Sequence, residues 1–153
     1  MENIEIRKLS LGEDIPWDLL HLADPSVEAV NDYLKRGICY IAILGIDVIG
    51  VYVLLPTRPF TVELVNVAVK EEYHGKGCGK LLVRHAIRIA QESHYKIIEL
   101  GTGNAGILQL ALYQKCGFRI TGIDFDFFRK HYEEPMFENG IECRDMIRLS
   151  LDL

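Results

Sequence analysis

The stretch VELVNVAVKEEYHGKGCGKLLVRHAIRIA, from Val62 to Ala90, constrains the fold more than any other part of the chain. It begins as a valine-rich apolar run, passes through Gly75, Gly77 and Gly79, and ends with the apolar spacing of an amphipathic helix. A strand that runs through glycines into a helix leaves the N–H groups of the first helical turn unpaired. Together with the helix dipole, these groups suit an anion such as phosphate. The pattern predicts a strand–turn–helix unit with an anion site at the turn, the alternative being a purely structural turn.

Two common phosphate-binding motifs do not fit this turn. An NTPase P-loop has the pattern GxxxxGK followed by Ser or Thr, whereas Leu81 follows Lys80 here. A dinucleotide-binding turn has the pattern GxGxxG, and Lys80 stands where its third glycine belongs. The sequence therefore indicates a different kind of glycine turn.

The segments before this unit alternate between β-rich and helical patterns. NIEIRKL predicts a first strand, and DIPWDLLHLA predicts a short helix with Asp14 near its cap and Pro16 in its first turn. Asp24 and Pro25 open a second helix, which Gly37 ends. The runs ICYIAILG and VIGVYVLLP, separated by GID, predict a hairpin, and FTVELVNVAV predicts a further strand.

The segments after the glycines complete one domain. YKIIELGT predicts a short buried strand, and AGILQLALYQKCG predicts a helix that ends at Gly117. FRITGIDFDFF and ECRDMIRLSL predict the closing strands, joined by the polar connection RKHYEEPMFENGI. The order predicts a single α+β domain over residues 1–153, with antiparallel hairpins at the front and a strand–helix–strand crossover in the middle.

Composition excludes several classes of function. The net charge of −5 and the pI near 5.5 argue against nucleic acid or an anionic membrane as partner. The four cysteines are widely spaced without a CxxC pair, and the histidines form no HxxxH pattern, so we expect no metal site. No apolar run approaches the roughly 20 residues that span a bilayer, and the N-terminus does not read as a signal peptide. We expect a reduced, cytoplasmic protein that makes no contact with membranes.

Two motifs carry a resemblance to a known family. LVNVAVKEEYHGKGCGKLLVRHAI resembles the acetyl-CoA-binding motif of the GNAT superfamily of N-acetyltransferases, a strand followed by [Gln/Arg]-x-x-Gly-x-[Gly/Ala] and a helix. The motif maps onto residues 74–79, with His74 in place of Gln or Arg. LYQKCGF, from Leu112 to Phe118, is similar to the LYEKxGF segment of the same superfamily. The order of the predicted elements fits this family along nearly the whole chain.

The resemblance implies a fold and an activity. The fold is a central, mostly antiparallel twisted sheet of about seven strands flanked by about four helices. The activity is transfer of an acetyl group from acetyl-CoA, as co-substrate, directly to a primary amine of a small molecule, protein or peptide, without a metal. The alternative is a non-catalytic acyl-CoA-binding or regulatory module of the same fold. The β-rich C-terminus makes a homodimer possible.

The resemblance also assigns cofactor-binding residues. In the family, the fourth strand leaves the fifth at a bulge and its backbone pairs with the pantetheine arm, which places residues 66–69 beside the cofactor. Asn104 follows the next strand, where it either binds pantetheine or serves as a helix N-cap. The predicted cofactor-binding residues are Val67, Ala68, Val69, His74, Gly75, Lys76, Gly77, Cys78, Gly79, Lys80 and Asn104.

Two residues are candidates for the chemistry. Tyr113 matches the tyrosine that protonates the leaving thiolate in many family members, and its alternative role is packing. Glu63 lies eleven residues before His74, the spacing of the general base in histone-acetylating members. Alternation places Glu63 on one face with Val65, Val67 and Thr61, where burial would raise its pKa. A solvated or ion-paired carboxylate, with a water chain as the base, is the alternative.

The polar connection near the C-terminus is a candidate acceptor surface. DFDFFRKHYEEPMFENG combines acidic and aromatic side chains that suit a cationic amine or a basic peptide, although a solvated connection is the common explanation for such a run. The side chains concerned are Asp124, Asp126, Glu133, Glu134, Phe127, Phe128 and Tyr132.

Overall fold

A computed structural model describes residues 3–153. Its main feature within that range is a seven-stranded sheet with the order β1-β2-β3-β4-β5-β9-β6. The strands are β1 (Ile4–Lys8), β2 (Ile38–Leu44), β3 (Asp47–Arg58), β4 (Thr61–Val69), β5 (Ile97–Gly103), β6 (Arg119–Asp124), β7 (Phe137–Glu138), β8 (Ile141–Glu142) and β9 (Met146–Asp152). The helices are α1 (Trp17–Ala23), α2 (Val27–Arg36), α3 (Cys78–Glu92), α4 (Ile107–Lys115) and α5 (Phe127–His131).

The sheet is antiparallel except at one place. β4 and β5 run parallel, joined by a short 3₁₀ turn, the glycines and α3, which form the predicted crossover. Every other neighbouring pair of strands in the sheet is antiparallel. The predicted α+β class with a mostly antiparallel seven-stranded sheet is therefore confirmed.

Helices cover both faces of the sheet and divide the core in two. On one face α3 and α4 pack against β-strand side chains such as Tyr52 and Ile98, with Leu82 and Tyr113 contributed by the helices. We call this the α3–α4 face. On the other face α1 contributes Leu20 and α2 contributes Val30 to a second cluster, and we call this the α1–α2 face. The amphipathic periodicity of the helices accounts for both layers, because each helix buries only one stripe.

The parallel pair of strands stays together over only three residue pairs. Thr61 to Glu63 of β4 lie opposite Ile97 to Glu99 of β5, and no β4–β5 pairing continues beyond Glu63 within the described residues. β5 continues to Gly103 against β9, while β4 continues to Val69 against β3. The two strands therefore separate, and we call the gap between residues 64–69 and 100–103 the fork.

Three sequence predictions need correction. Pro16 precedes α1 as its N-cap and is not in the first helical turn, because the helix begins at Trp17. The run FRITGIDFDFF is not one strand, since β6 ends at Asp124 and Phe127 begins the unpredicted α5. The polar connection that follows is not irregular throughout, because it contains the β7–β8 hairpin.

No helix within residues 3–153 is both long and apolar enough to cross a bilayer.

Candidate active site

The turn after β4 has the backbone conformation that the glycines predict. Gly75 and Gly77 have φ of +74° and +85°, and a Cβ at either position would meet no atom within 4 Å. Glycine is therefore favoured there because the backbone is left-handed, and not because a side chain would clash with its neighbours. Gly77 is the N-cap of α3 and has no side chain that could accept a hydrogen bond from the amides of the first turn. The start of α3 is an anion site in its geometry.

The polar side chains of the turn lie around this helix start. His74, which replaces the usual Gln or Arg, places Nε2 2.7 Å from the carbonyl oxygen of Val69 and so ties the turn to the end of β4. Lys76 and Lys80 are exposed, with the Lys76 ammonium 5.5 Å from the centre of the Tyr73 ring. Cys78 is buried in the α3–α4 core. The two lysines add positive charge beside the amides of the first helical turn.

A bulge in β4 changes the predicted face of Glu63. Val53 pairs with Asn66 and Leu54 with Leu64, so Val65 is an extra residue without a partner on β3. Before the bulge Leu64 faces α3, and after it Val67 does, although they are three residues apart. The prediction that Glu63 shares a face with Val67 is therefore wrong. Glu63, opposite in alternation to Leu64, lies on the α1–α2 side.

Tyr113 lies on the other side of the fork. Its side chain is 7% exposed in the α3–α4 core, with its ring centre 6.3 Å from that of Phe118. Burial, with a smaller effect of Cys116, raises the pKa of Tyr113 to about 12. Within residues 3–153 no acceptor takes a hydrogen bond from this hydroxyl, which leaves a protonated donor near neutral pH.

Asn104 is not a helix N-cap, because that position belongs to Gly106. Its side chain holds the segment before β9 instead. Nδ2 donates to the carbonyl of Glu142 at 3.1 Å, and Oδ1 accepts the amides of Arg144 and Asp145 at 2.8 and 3.0 Å. One N–H of the carboxamide is left for any further partner, so contact between Asn104 and a cofactor stays a prediction.

A cavity of about 480 Å³ opens beside Glu63. Residues from five strands line it: β3, β4, β5, β6 and β9. Five of the eleven lining residues are charged: Arg58, Glu63, Glu99, Asp124 and Arg148. Two ion pairs cross the lining, Arg58 to Glu99 at 3.1 Å and Arg148 to Asp124 at 3.0 Å. The size suits a small molecule or the end of a peptide.

Glu63 differs from the other two carboxylates of this cavity, Glu99 and Asp124, which are ion-paired with arginines. Its side chain is half-buried and takes no hydrogen bond or ion pair from any residue within 3–153. Burial raises the pKa of Glu63, the charge of Glu99 raises it further, and Arg148 acts in the opposite direction. A half-buried, unpaired carboxylate with a raised pKa has the properties of a general base.

A buried polar network lies one step further along β4. Asn66, 3% exposed, donates to the Leu20 carbonyl at 3.0 Å and to the Tyr33 hydroxyl at 2.8 Å. Tyr33 donates to one carboxylate oxygen of Asp24 at 3.3 Å, and Tyr132 donates to the other at 2.8 Å. The network fixes α1, α2 and the segment after α5 to the strand at the fork.

The predicted acceptor surface is mostly occupied by internal contacts. Asp126 is ion-paired with Arg144, and Phe127 and Phe128 pack edge to face at 5.3 Å. Asp124 alone of this segment reaches the cavity beside Glu63, where Ile123 also lies. Phe128, Tyr132, Glu133 and Glu134 of the same run line a second cavity of about 260 Å³, so its role as the acceptor surface stays a prediction.

Sequence reasoning missed Arg58, Glu99 and Arg148 as parts of the site. Each is a charged residue inside an otherwise apolar strand pattern, and this was the only signal available. Their strands are separated by long stretches of sequence, so their meeting depends on the order of strands in the sheet. Within residues 3–153 no group of three His, Cys, Asp or Glu side chains is arranged to bind a metal ion.

The forked sheet and the glycine turn at a helix start define a class of protein, the acyltransferases that bind an acyl-CoA in this way. Comparison with known families identifies the family within this class: residues 8–118 match the acetyltransferase (GNAT) family. The chain belongs to this family. This confirms the predicted family and the predicted class of enzyme, an acetyl-CoA-dependent acetyltransferase.

Relatives along the full chain agree. An uncharacterized N-acetyltransferase of Bacillus subtilis (strain 168), YvbK, is 58% identical over 99% of both chains. The structure of an IAA acetyltransferase from Bacillus cereus ATCC 14579 is 55% identical, with a TM-score of 0.95 over 98% of this chain and 99% of that one. A GNAT family acetyltransferase from Elizabethkingia anophelis, solved with acetyl-CoA bound, is 46% identical, with a TM-score of 0.98 over both full chains.

Proposed function

We propose that this chain transfers the acetyl group of acetyl-CoA to a primary amine, and that residues 1–153 act as one acetyl-CoA-binding domain. The observation that carries the proposal is the fork. It separates an unpaired carboxylate on one face, Glu63, from an unpaired phenol on the other, Tyr113. A thioester held between them has a proton acceptor on the side of the incoming amine and a proton donor on the side of the leaving sulfur.

The residues that hold the co-substrate follow from the geometry of the turn and of β4. The amides at the start of α3 bind the pyrophosphate, and the exposed Lys76 and Lys80 add positive charge. The β4 backbone from Val67 to Val69, which has no β5 partner, pairs with the pantetheine arm. The relative from Elizabethkingia anophelis, which has acetyl-CoA bound in the same fold, supports this assignment.

Glu63 has the first chemical role. Bound acetyl-CoA supplies a thioester carbonyl carbon as the electrophile. Glu63 takes the proton of the substrate ammonium, directly or through water, so that the nitrogen lone pair is free to attack. The nitrogen–carbon bond forms as the carbon–sulfur bond breaks, the nitrogen loses its second proton to water, and coenzyme A leaves as a thiolate. Alignment of amine and thioester across the fork supplies a further, large part of the acceleration.

Tyr113 has the second role. Its hydroxyl, protonated at neutral pH because burial raises its pKa to about 12, donates a proton to the departing thiolate. Tyr113 regains its proton from solvent after the products leave. The net reaction converts an amine and acetyl-CoA into an acetamide and coenzyme A.

An amine panel with acetyl-CoA tests this proposal. We expect release of free thiol that depends on the amine, together with an acetylated product detected by mass spectrometry. The panel contains polyamines, amino acids, amino acid amides and peptides with free N-termini. If acetyl-CoA raises the melting temperature but no amine in the panel is acetylated, the chain is a non-catalytic acyl-CoA-binding module and the proposal is wrong.

We retain a homodimer as a second, separate proposal about assembly. The edge strand β6 has exposed Ile120 and Ile123, each 50% accessible, followed by Phe125 at 67%. Exposed apolar edge strands are sites at which chains pair. Analytical ultracentrifugation tests it, and a monomer at micromolar concentration would contradict it.

A further inference from the structure

The cavity beside Glu63 carries charges of both signs. Arg58 and Arg148 face three carboxylates, Glu63, Glu99 and Asp124. A cavity built only for a cationic amine has no need of guanidinium groups, which repel an ammonium ion and must be held in place by acidic partners. The mixed lining indicates an acceptor that itself carries both charges.

Arg148 has donors to spare. Its Nη2 donates to Asp124 at 3.0 Å, and its guanidinium lies 5.5 Å from the centre of the Phe127 ring. Nε and Nη1 donate to no acceptor within residues 3–153. A guanidinium held from one side by a carboxylate and an aromatic ring still has the Nε proton, the Nη1 protons and the second Nη2 proton with which to bind another carboxylate.

Arg58 is a poorer candidate for the same task. It contacts both oxygens of Glu99, at 3.1 and 3.2 Å, through Nη2, and its side chain is 60% exposed against 36% for Arg148. An exposed pair of this kind contributes little to binding or stability. The more buried guanidinium is therefore the stronger anion site.

Arg148 is also close to the proposed base. Glu63 lies opposite Glu99 on β5, and Arg148 lies opposite Gly101 on the next strand, two residues further along. Burial raises the pKa of Glu63, and the positive charge of Arg148 in the same cavity acts in the opposite direction. Both side chains line the same cavity, so an amine and a carboxylate joined by one or a few carbons can reach both of them.

We propose that the acceptor is a free amino acid, whose carboxylate binds Arg148 while its amine faces Glu63 and the fork. This inference rests on the proposed function, because it names the class of amine that the enzyme acetylates. A polyamine and the N-terminus of a peptide lack the neighbouring carboxylate. If the enzyme prefers either of them to amino acids, the test contradicts this proposal.

The test compares matched acceptors that differ at the carboxylate. Leucine, leucinamide and 3-methylbutylamine share one side chain, and further acid–amide pairs with serine and methionine side chains extend the set. The quantity measured is the ratio of kcat/KM for the acid to kcat/KM for the amide, in wild type and variants. Because the intrinsic reactivity of each amine is the same in every variant, a change in the ratio reports the carboxylate contact.

Three variants separate the carboxylate contact from other effects. Arg148→Gln should lower the acid-to-amide ratio about tenfold or more, mainly through KM of the acid. Asp124→Asn keeps the guanidinium while removing its ion-pair partner, so it should keep the ratio or raise it. Arg88→Gln has the same charge change as Arg148→Gln on an exposed helix position paired with Glu92, and should leave the ratio unchanged.

The outcomes distinguish this inference from the proposed function. Amine-dependent thiol release with an unchanged ratio in Arg148→Gln overturns the inference and leaves the function standing. The inference is also overturned if wild-type enzyme acetylates the amines or amides but none of the matched amino acids. No acetylation of any amine contradicts the proposed function itself. If Arg148→Gln does not fold, the Asp124→Asn ratio and the wild-type preference for acids over amides decide the question.

Discussion

Burial raises the pKa of both the Tyr113 hydroxyl and the Glu63 carboxyl group, with different consequences for the chemistry. For the phenol, burial raises the pKa to about 12 and so keeps the proton that a leaving thiolate needs. For the carboxylate, burial raises the pKa towards the range in which a base accepts a proton efficiently. The same physical cause prepares one group as an acid and the other as a base.

Tyr113→Phe tests the acid. The substitution keeps the ring and its packing against Phe118 but removes the donor. We expect the rate constant of acetyl transfer in single-turnover kinetics to fall by about 10²-fold or more, because this is the usual contribution of a positioned acid. The melting-temperature shift given by acetyl-CoA should stay the same, since the phenol acts on the leaving group. An unchanged single-turnover rate would leave Tyr113 as a packing residue.

Glu63→Gln tests the base and has two expected effects. The loss of kcat/KM should be larger at neutral than at alkaline pH, where more of the substrate amine is already neutral. The same substitution should raise the stability of the folded protein while it lowers activity. A raised pKa in the folded state means that protonation favours folding, so Glu63 contributes most at low pH and this contribution is lost as the pH rises through its folded pKa.

Glutamine has no such pH dependence, so at pH 7 the variant should unfold at higher urea concentration than wild type, and the difference should shrink towards pH 4. Urea unfolding at the two pH values measures this. A uniform loss of activity across pH would indicate that Glu63 positions the substrate. If the stability difference between variant and wild type is the same at pH 7 and pH 4, the folded-state pKa of Glu63 is ordinary.

At the scale of single elements, the glycine turn separates two roles of glycine. Gly77 has a left-handed φ of +85° with open space around it, whereas Gly79 lies inside α3, where a Cβ would meet Leu112 at 3.4 Å. Gly77→Ala should lower the free energy of unfolding by about 1–2 kcal/mol because of backbone strain. Gly79→Ala should change it little, or raise it by up to about 1 kcal/mol through helix propensity. Equal effects in ligand-free urea unfolding would contradict the assignment.

The elements also show where sequence reasoning succeeds and where it ends. The strand, turn and helix around the glycines are local patterns, and the structure has them where they were predicted. The bulge at Val65 leaves no mark in the alternation of VELVNVAV, so the face of Glu63 relative to Val67 could not be predicted. The hydrogen-bond partners of Asn104 lie at residues 142–145, far along the chain. Because the sequence does not reveal these partners, an Asn just before a helix is interpreted as an N-cap.

At the scale of the whole molecule, the sheet consists of two parts joined at one narrow place. Strands β1–β4 and strands β5, β9 and β6 meet through three residue pairs, Thr61–Glu63 with Ile97–Glu99. The charged cavity is built across this junction from strands of both parts. Such a site follows from the strand order, which is why neither Arg58 nor Arg148 could be assigned from sequence.

The central claim is that the fork and the start of α3 together hold one molecule of acetyl-CoA. Amide hydrogen exchange with and without acetyl-CoA tests it most directly, because it reports the backbone groups concerned. We expect slower exchange in residues 64–69 and 77–80, no change in β1 (Ile4–Lys8), and loss of the effect in Gly79→Val, whose side chain blocks approach to the helix start. Protection elsewhere, or none at saturating acetyl-CoA, would contradict the account.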